Sequence, residues 1–169
     1  MAMLFFLTSI VIHPTPQKTE NQQFELRKET GDKIIYYNIY WREGDSPWRF
    51  LLTRYTGRVG EKLPGGLPTP VMKDAILYDD YFCFLIFQIW CTFYMVYQKN
   101  REGIWEFKDS MAVSGTSGML IGAIDASVKL ISPFVVVIKG ANYSVRGKKK
   151  NKYTRIIRYS RKESKIVVQ

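Results

Sequence analysis

The sequence predicts a mostly-β, single-domain protein: an antiparallel sandwich or barrel-like sheet with little helix and a basic C-terminal segment. Aromatic residues make up 15% of the 169 positions, and an apolar content of 46% is typical of globular domains. Several segments alternate in polarity with a period of two, which is the pattern of strands. Polar or Gly- and Pro-rich stretches separate these segments, as expected for turns.

The run Tyr81–Tyr97 is the longest stretch without a charge, and the other elements are arranged around it. Its odd positions are all apolar or aromatic, so one strand face would be continuous core. At about 3.3 Å per residue the run would span roughly 56 Å, which predicts either one bent strand or two strands. A buried helix and a membrane span are the alternatives, although a span needs about twenty apolar residues.

Two hairpins are predicted beside this run. Lys33–Trp41 and Trp48–Tyr55 both read as strands, and the turn-forming sequence REGDSP lies between them. Lys99–Gly103 would be the loop of the second hairpin, which joins the central run to Ile104–Lys108. The predicted core comprises Cys83, Leu85, Phe87, Ile89, Phe93, Trp105 and Phe107.

The domain is predicted to occupy residues 24–145. Residues 1–23 form an apolar arm followed by a polar linker, and residues 146–169 form a basic segment attached to the core. Within the domain we expect a long surface loop at Thr56–Pro70, a helical turn or strand at Val71–Tyr78, a small-residue loop at Asp109–Gly118, a short helix or bulged strand at Met119–Ile131, a strand at Phe134–Lys139 and a turn at Gly140–Gly147.

Cys83 and Cys91 are the only cysteines. On one strand they would lie roughly 26 Å apart, whereas a disulfide needs Cα atoms within about 7 Å. We therefore predict buried thiols and a reducing compartment. This favours a cytoplasmic or nuclear location, with a virion or an inner membrane surface as alternatives.

Motifs for catalysis are weak. His13 is the only histidine, and no partners for a metal site or a nucleophile–base pair lie at suitable spacing. The Ser114–Gly118 stretch lacks the Lys-Ser/Thr ending of a phosphate-binding loop. The sequence thus predicts no catalytic residue, no metal site and no cofactor, so the protein is expected not to be an enzyme.

One local stretch resembles a known family. Gly103–Leu120, in which Trp105 precedes VSGTSGML, and the pair Asn142-Tyr143 look like part of the actinoporin and fungal fruit-body lectin superfamily. The resemblance implies a β-sandwich that binds membrane lipid or sugar. The chain departs from that family in its basic tail and in lacking the downstream aromatic headgroup site, so it is not assigned to the family.

The C-terminal segment carries the strongest functional signal. From Arg146 to Lys165 there are ten basic residues and one acidic residue, a net charge of +9 in a chain whose total is +10. Such a cluster predicts an anionic partner. The candidate binding residues are Arg146, Lys148, Lys149, Lys150, Lys152, Tyr153, Arg155, Arg158, Tyr159, Arg161 and Lys162.

Local structure decides how these residues are displayed. In a helix Arg155, Arg158 and Arg161 would form one stripe. In a strand Arg155 and Arg161 would share a face with Tyr153 and Tyr159, which could contact backbone and bases.

We expect a non-enzymatic binding or assembly protein that contacts nucleic acid or a ribonucleoprotein. Its size, basic charge and lack of catalytic motifs are comparable to those of a viral matrix or coat protein. The alternative is a peripheral membrane protein that binds anionic lipid or glycan headgroups through the same basic surface, with Met1–Ile12 as a second anchor. Self-association is a further option.

Overall fold

The computed structural model describes residues 21–58, 70–88, 91–115, 126–143 and 149–169. Within these residues the chain forms only strands and turns, which confirms the predicted mostly-β class. The strands are β1 Gln22–Thr30, β2 Ile34–Glu43, β3 Arg49–Arg58, β4 Val71–Tyr78, β5 Tyr81–Gln88, β6 Cys91–Lys99, β7 Trp105–Gly115, β8 Ser127–Ser132, β9 Val135–Tyr143, β10 Lys149–Ser160 and β11 Lys165–Val168.

These strands form three antiparallel sheets in chain order. The first sheet contains β1–β3, the middle sheet β4–β7 and the third sheet β8–β11, and each strand pairs with its neighbour in the chain. Both predicted hairpins are confirmed, as β2 pairs with β3 and β6 pairs with β7. Tight turns suit such a meander: Asp79, with a φ of 54°, and Asp80 alone connect β4 to β5.

The middle sheet lies between the other two, because separate apolar clusters cover its two faces. Side chains from Tyr81 to Ile86 are all buried, and strand parity divides them between the clusters. The cluster against the first sheet includes Phe82, Phe84, Ile86, Met95, Ile39 and Leu52. The cluster against the third sheet includes Tyr81, Cys83, Leu85, Tyr94, Val136, Ile138, Ile157 and Tyr159.

The run Tyr81–Tyr97 therefore contains two strands, β5 and the larger part of β6, and its described residues are not helical. Phe87 pairs with Thr92 and Gln88 with Cys91, so the chain folds back between β5 and β6. Both cysteines are buried thiols, as predicted.

The predicted core is only partly correct. Cys83 and Leu85 are fully buried, whereas Phe93 and Trp105 are half-buried against the cluster beside the first sheet. Phe87 is also half-buried. Phe107 is 52% exposed, so its assignment to the core is wrong. It lies on the edge strand β7, where its ring meets Tyr97 at a centroid distance of 5.5 Å and no described strand of the first sheet covers it.

Several predicted loops are strands instead. The residues 109–115 belong to β7, because they pair with β6 and the Asp109 carboxylate accepts a 2.6 Å hydrogen bond from the Ile166 amide of β11. The residues 140–143 continue β9 and pair with β10. At Gly140 the absence of a side chain leaves room for the Tyr153 ring of the partner strand. Strand boundaries also differ at Gln22–Gln23, which belong to β1, and at residues 56–58, which belong to β3.

Val71–Tyr78 and Ser127–Ser132 take the strand alternative that the sequence left open. Other predicted features lie outside the described residues: the arm 1–20 with His13, the loop residues 59–69, Ile89, residues 116–125 and the turn residues 144–148.

Candidate nucleic-acid interface

The third sheet and its connections hold nearly all of the excess positive charge. Residues 126–169 contain twelve Lys and Arg against Glu163 alone, a net charge of +11, whereas residues 1–125 contain thirteen basic and fourteen acidic residues, a net charge of −1. The predicted basic segment is thus extended by Lys129 on β8 and Lys139 on β9. They lie 17 and 7 residues upstream of Arg146, so they are not part of the run of basic residues in the sequence.

The two faces of the third sheet differ sharply. Its inner face packs on the middle sheet through Leu130, Val136, Ile138, Ile157 and Tyr159, all of them buried. The alternate residues point to the other side, and we call this side the basic face. Its cations are Lys129, Lys139, Lys152, Arg158 and Lys165, and all are exposed.

Strand register sets three of these lysines in one oblique row. Lys129 pairs with Val137 on β9, and Lys139 is two residues further along that strand. Lys139 in turn pairs with Thr154, and Lys152 is two residues away on β10. Diagonal neighbours across paired strands lie about 7–8 Å apart, so the three lysines cross three strands in regular steps.

Aliphatic side chains lie between the cations. Val135, Val137, Ile156 and Val167 share the basic face and are half-buried. Lysine stems can lie along such a surface while their ammonium groups stay in water. Within the described part of the third sheet, Glu163 is the sole carboxylate, and it pairs with Lys165 at 3.3 Å.

The remaining predicted residues occupy different positions. Lys149 and Lys150 lie on β10, where the Lys149 backbone pairs with Tyr143, and Arg146 and Lys148 fall outside the described residues. Arg161 and Lys162 lie in the exposed turn between β10 and β11. The Arg161 guanidinium carbon is 5.2 Å from the centre of the Phe134 ring.

Strand geometry separates the three arginines, so a helical stripe is excluded. Arg158 belongs to the basic face, whereas Arg155 shares the opposite parity with Tyr153, and its guanidinium lies 5.2 Å from that ring. Arg161 lies beyond the end of β10.

The two predicted tyrosines are not free for stacking. Tyr159 is only 4% exposed and packs against Tyr81 and Phe134, so its ring belongs to the core and does not project from the basic face. Burial also raises the pKa of Tyr159 above its ordinary value. Tyr153 is half-buried, and its hydroxyl would lie 2.6 Å from a Cβ atom added at Gly140. Its ring therefore covers the Gly140 backbone.

Within the described ranges, no group of three or more His, Cys, Asp or Glu residues could hold a metal ion. Those ranges also contain no helix long and apolar enough to cross a membrane. Comparisons with protein-family models, curated proteins and solved structures gave no match.

Proposed function

We propose that this protein is a non-enzymatic binding protein whose basic face contacts the phosphates of nucleic acid or of a ribonucleoprotein. The observation that carries the proposal is the row of Lys129, Lys139 and Lys152 across three strands. These lysines contribute nothing to the apolar clusters, and a bound anion would relieve the repulsion between the neighbouring like charges.

The chemistry of this face favours phosphate contacts over reading of bases. A lysine ammonium is a point charge that binds phosphate without sequence information. Tyr159 is buried and Tyr153 is packed over Gly140, so no aromatic ring of the predicted set projects from this face. Binding through this face is therefore expected to depend strongly on salt and weakly on sequence.

An anionic membrane surface is the second candidate, and a specific observation favours it. Aliphatic residues separate the cations, and a large one near the end of β8, Ile131, is 53% exposed. A surface of lysines and aliphatic side chains can bind anionic headgroups and bury apolar area at the interface. The comparison with viral matrix and coat proteins, the absence of enzymatic activity and the location in the cell stay predictions.

Binding assays with different ligands would separate these candidates. Wild-type protein would be titrated with duplex DNA, single-stranded RNA, anionic vesicles and neutral vesicles over a salt series. A variant with Lys148, Lys149, Lys150 and Lys152 replaced by alanine should bind nucleic acid more weakly and keep its circular dichroism spectrum. Binding to anionic vesicles alone would establish the membrane candidate instead, and unchanged affinity of the variant for every ligand would contradict both.

A further inference from the structure

The outer face of the first sheet, at the other end of the stack, displays a second distinctive surface. Its aromatic side chains include Tyr40 on β2, Phe50 on β3 and Trp48 just before β3. Tyr40 and Phe50 are direct cross-strand partners, with ring centroids 5.9 Å apart and planes at 74°. Phe50 is 56% exposed, although an edge-to-face partner is beside it. We call this surface the aromatic face.

Two arginines are stacked among these rings. The Arg27 guanidinium carbon is 4.6 Å from the centre of the Tyr40 ring and 5.3 Å from that of Trp48. The Arg42 guanidinium carbon is 4.7 Å from the centre of the Trp48 ring. The guanidinium groups therefore lie close to these rings, and the exposed Phe50 ring is beside them.

Hydrogen bonds hold these groups in place. Arg27 donates to Glu25 at 2.8 and 3.0 Å, and Arg42 donates to Gln23 at 2.7 and 2.9 Å. The Tyr40 hydroxyl donates to Glu29 at 2.6 Å. A ligand that stacks here would meet a surface that is already ordered, which lowers the entropy cost of binding.

Charge and size restrict the occupant. Among the side chains that the structure describes on this face, two arginines are balanced by two glutamates, in contrast to the basic face. Three strands of nine or ten residues give a footprint of roughly 30 by 14 Å. Its projected area of about 400 Å² is smaller than the roughly 800 Å² of accessible surface that each partner buries in a standard protein interface. A few flat rings fit it better than a second copy of the chain.

We infer that the aromatic face binds unpaired nucleobases, so that the nucleic acid bound by this protein includes single-stranded segments. This inference rests on the proposed function for the existence of a nucleic-acid ligand. Bases stack on aromatic rings and on guanidinium planes regardless of their identity, because every base has a π-face. A duplex hides these faces in its own stack, so the aromatic face selects single strands whereas the basic face needs only phosphates.

Replacement of Phe50 tests this inference with a matched control. Fluorescence anisotropy would compare a single-stranded oligonucleotide of about 15 residues, within the range of known stacking sites, with a duplex of the same sequence. Phe50→Ala should weaken single-strand binding about tenfold and leave duplex binding unchanged. Phe50→Trp should retain single-strand binding. Phe107→Ala, which removes a ring of 52% exposure from the middle sheet, should affect neither ligand.

The outcomes separate this inference from the proposed function. Equal single-strand affinity of Phe50→Ala and wild type would overturn the inference, and loss of binding in the lysine variants would still support the basic face. If Phe50→Ala weakened single-strand binding and the lysine variants did not change the affinity, the result would support binding at the aromatic face and contradict binding at the basic face. Failure of wild-type protein to bind either oligonucleotide would overturn both.

Discussion

The middle and third sheets are both four-stranded antiparallel meanders, but they use their two faces differently. In the middle sheet, β5 has six consecutive buried side chains from Tyr81 to Ile86, because another sheet covers each face. In the third sheet, β10 alternates buried Ile157 and Tyr159 with exposed Arg158. Its outer face has no described sheet against it.

This difference shows where packing explains the sequence and where it does not. Every residue from Tyr81 to Ile86 has a place in one of the two apolar clusters or beside it, so burial alone accounts for its type. Packing does not explain the lysines of the basic face. The following substitutions test this contrast, from the largest expected effect on stability to the smallest.

Truncation of Phe82 should have the largest effect. This side chain is fully buried between the first and middle sheets, with its ring 5.4 Å from that of Phe24 and 4.9 Å from that of Phe84. Phe82→Ala should lower the free energy of unfolding by about 3–5 kcal/mol, measured by urea denaturation. Phe107→Ala is the control and should cost less than about 1 kcal/mol. Similar losses in both variants would contradict the described burial.

The Tyr94 hydroxyl forms a buried hydrogen bond between the middle and third sheets. Tyr94 is fully buried and donates a 2.7 Å hydrogen bond to the Pro133 carbonyl oxygen. Tyr94→Phe should lower the free energy of unfolding by about 1–3 kcal/mol, because it leaves that carbonyl buried without its donor. Tyr78→Phe, at a position that is 39% exposed, should have little effect. Equal melting temperatures for wild type and Tyr94→Phe would exclude a stabilising role for this bond.

Alkaline pH should destabilise the apolar cluster between the middle and third sheets, which contains both Cys83 and Tyr94. Burial raises the pKa of the Cys83 thiol from 9.0 to about 12, and it also raises the pKa of Tyr94. Since the folded protein keeps its proton where the unfolded chain has lost it, the free energy of unfolding should fall as the pH rises from about 9 towards 12. Cys83→Ala should make this decline less steep, as judged by urea denaturation at several pH values.

Thiol reactivity tests the same burial independently. In the native protein at neutral pH, Cys83 should react with an alkylating reagent only as fast as the protein unfolds, because it is both inaccessible and protonated. Mass spectrometry of partly labelled protein would measure this. Rapid native labelling of Cys83 would show that the cluster opens easily.

The fold class and both hairpins could be predicted because they depend on local alternation and turn chemistry. Features that depend on contacts between strands far apart in the chain could not be predicted. Phe107 alternates like a core residue, but it is exposed because β7 is an edge strand. Asp109 looked like a loop residue, yet its carboxylate binds the Ile166 amide of a strand near the C-terminus.

The candidate site shows the same limit. The run of basic residues was visible in the sequence, but Lys129 and Lys139 join it only through strand register. Tyr159 lies within the basic run, yet parity puts it in the core beside Tyr81. The aromatic face was missed altogether. Its signal was the alternation of Tyr40 with inward residues of β2, but the pairing with Phe50 needed the register.

The salt dependence of duplex DNA binding tests the central claim most directly. One variant replaces Lys129, Lys139 and Lys152 of the basic face with alanine, and the other replaces Lys28, Lys33 and Lys73, which are also exposed but lie outside the third sheet. Both lose three charges and should fold normally. The first should reduce the slope of log K against log salt concentration by about 2–3 units, and the second should leave it nearly unchanged. Equal slopes for the two variants would show that net charge, and not the basic face, determines binding.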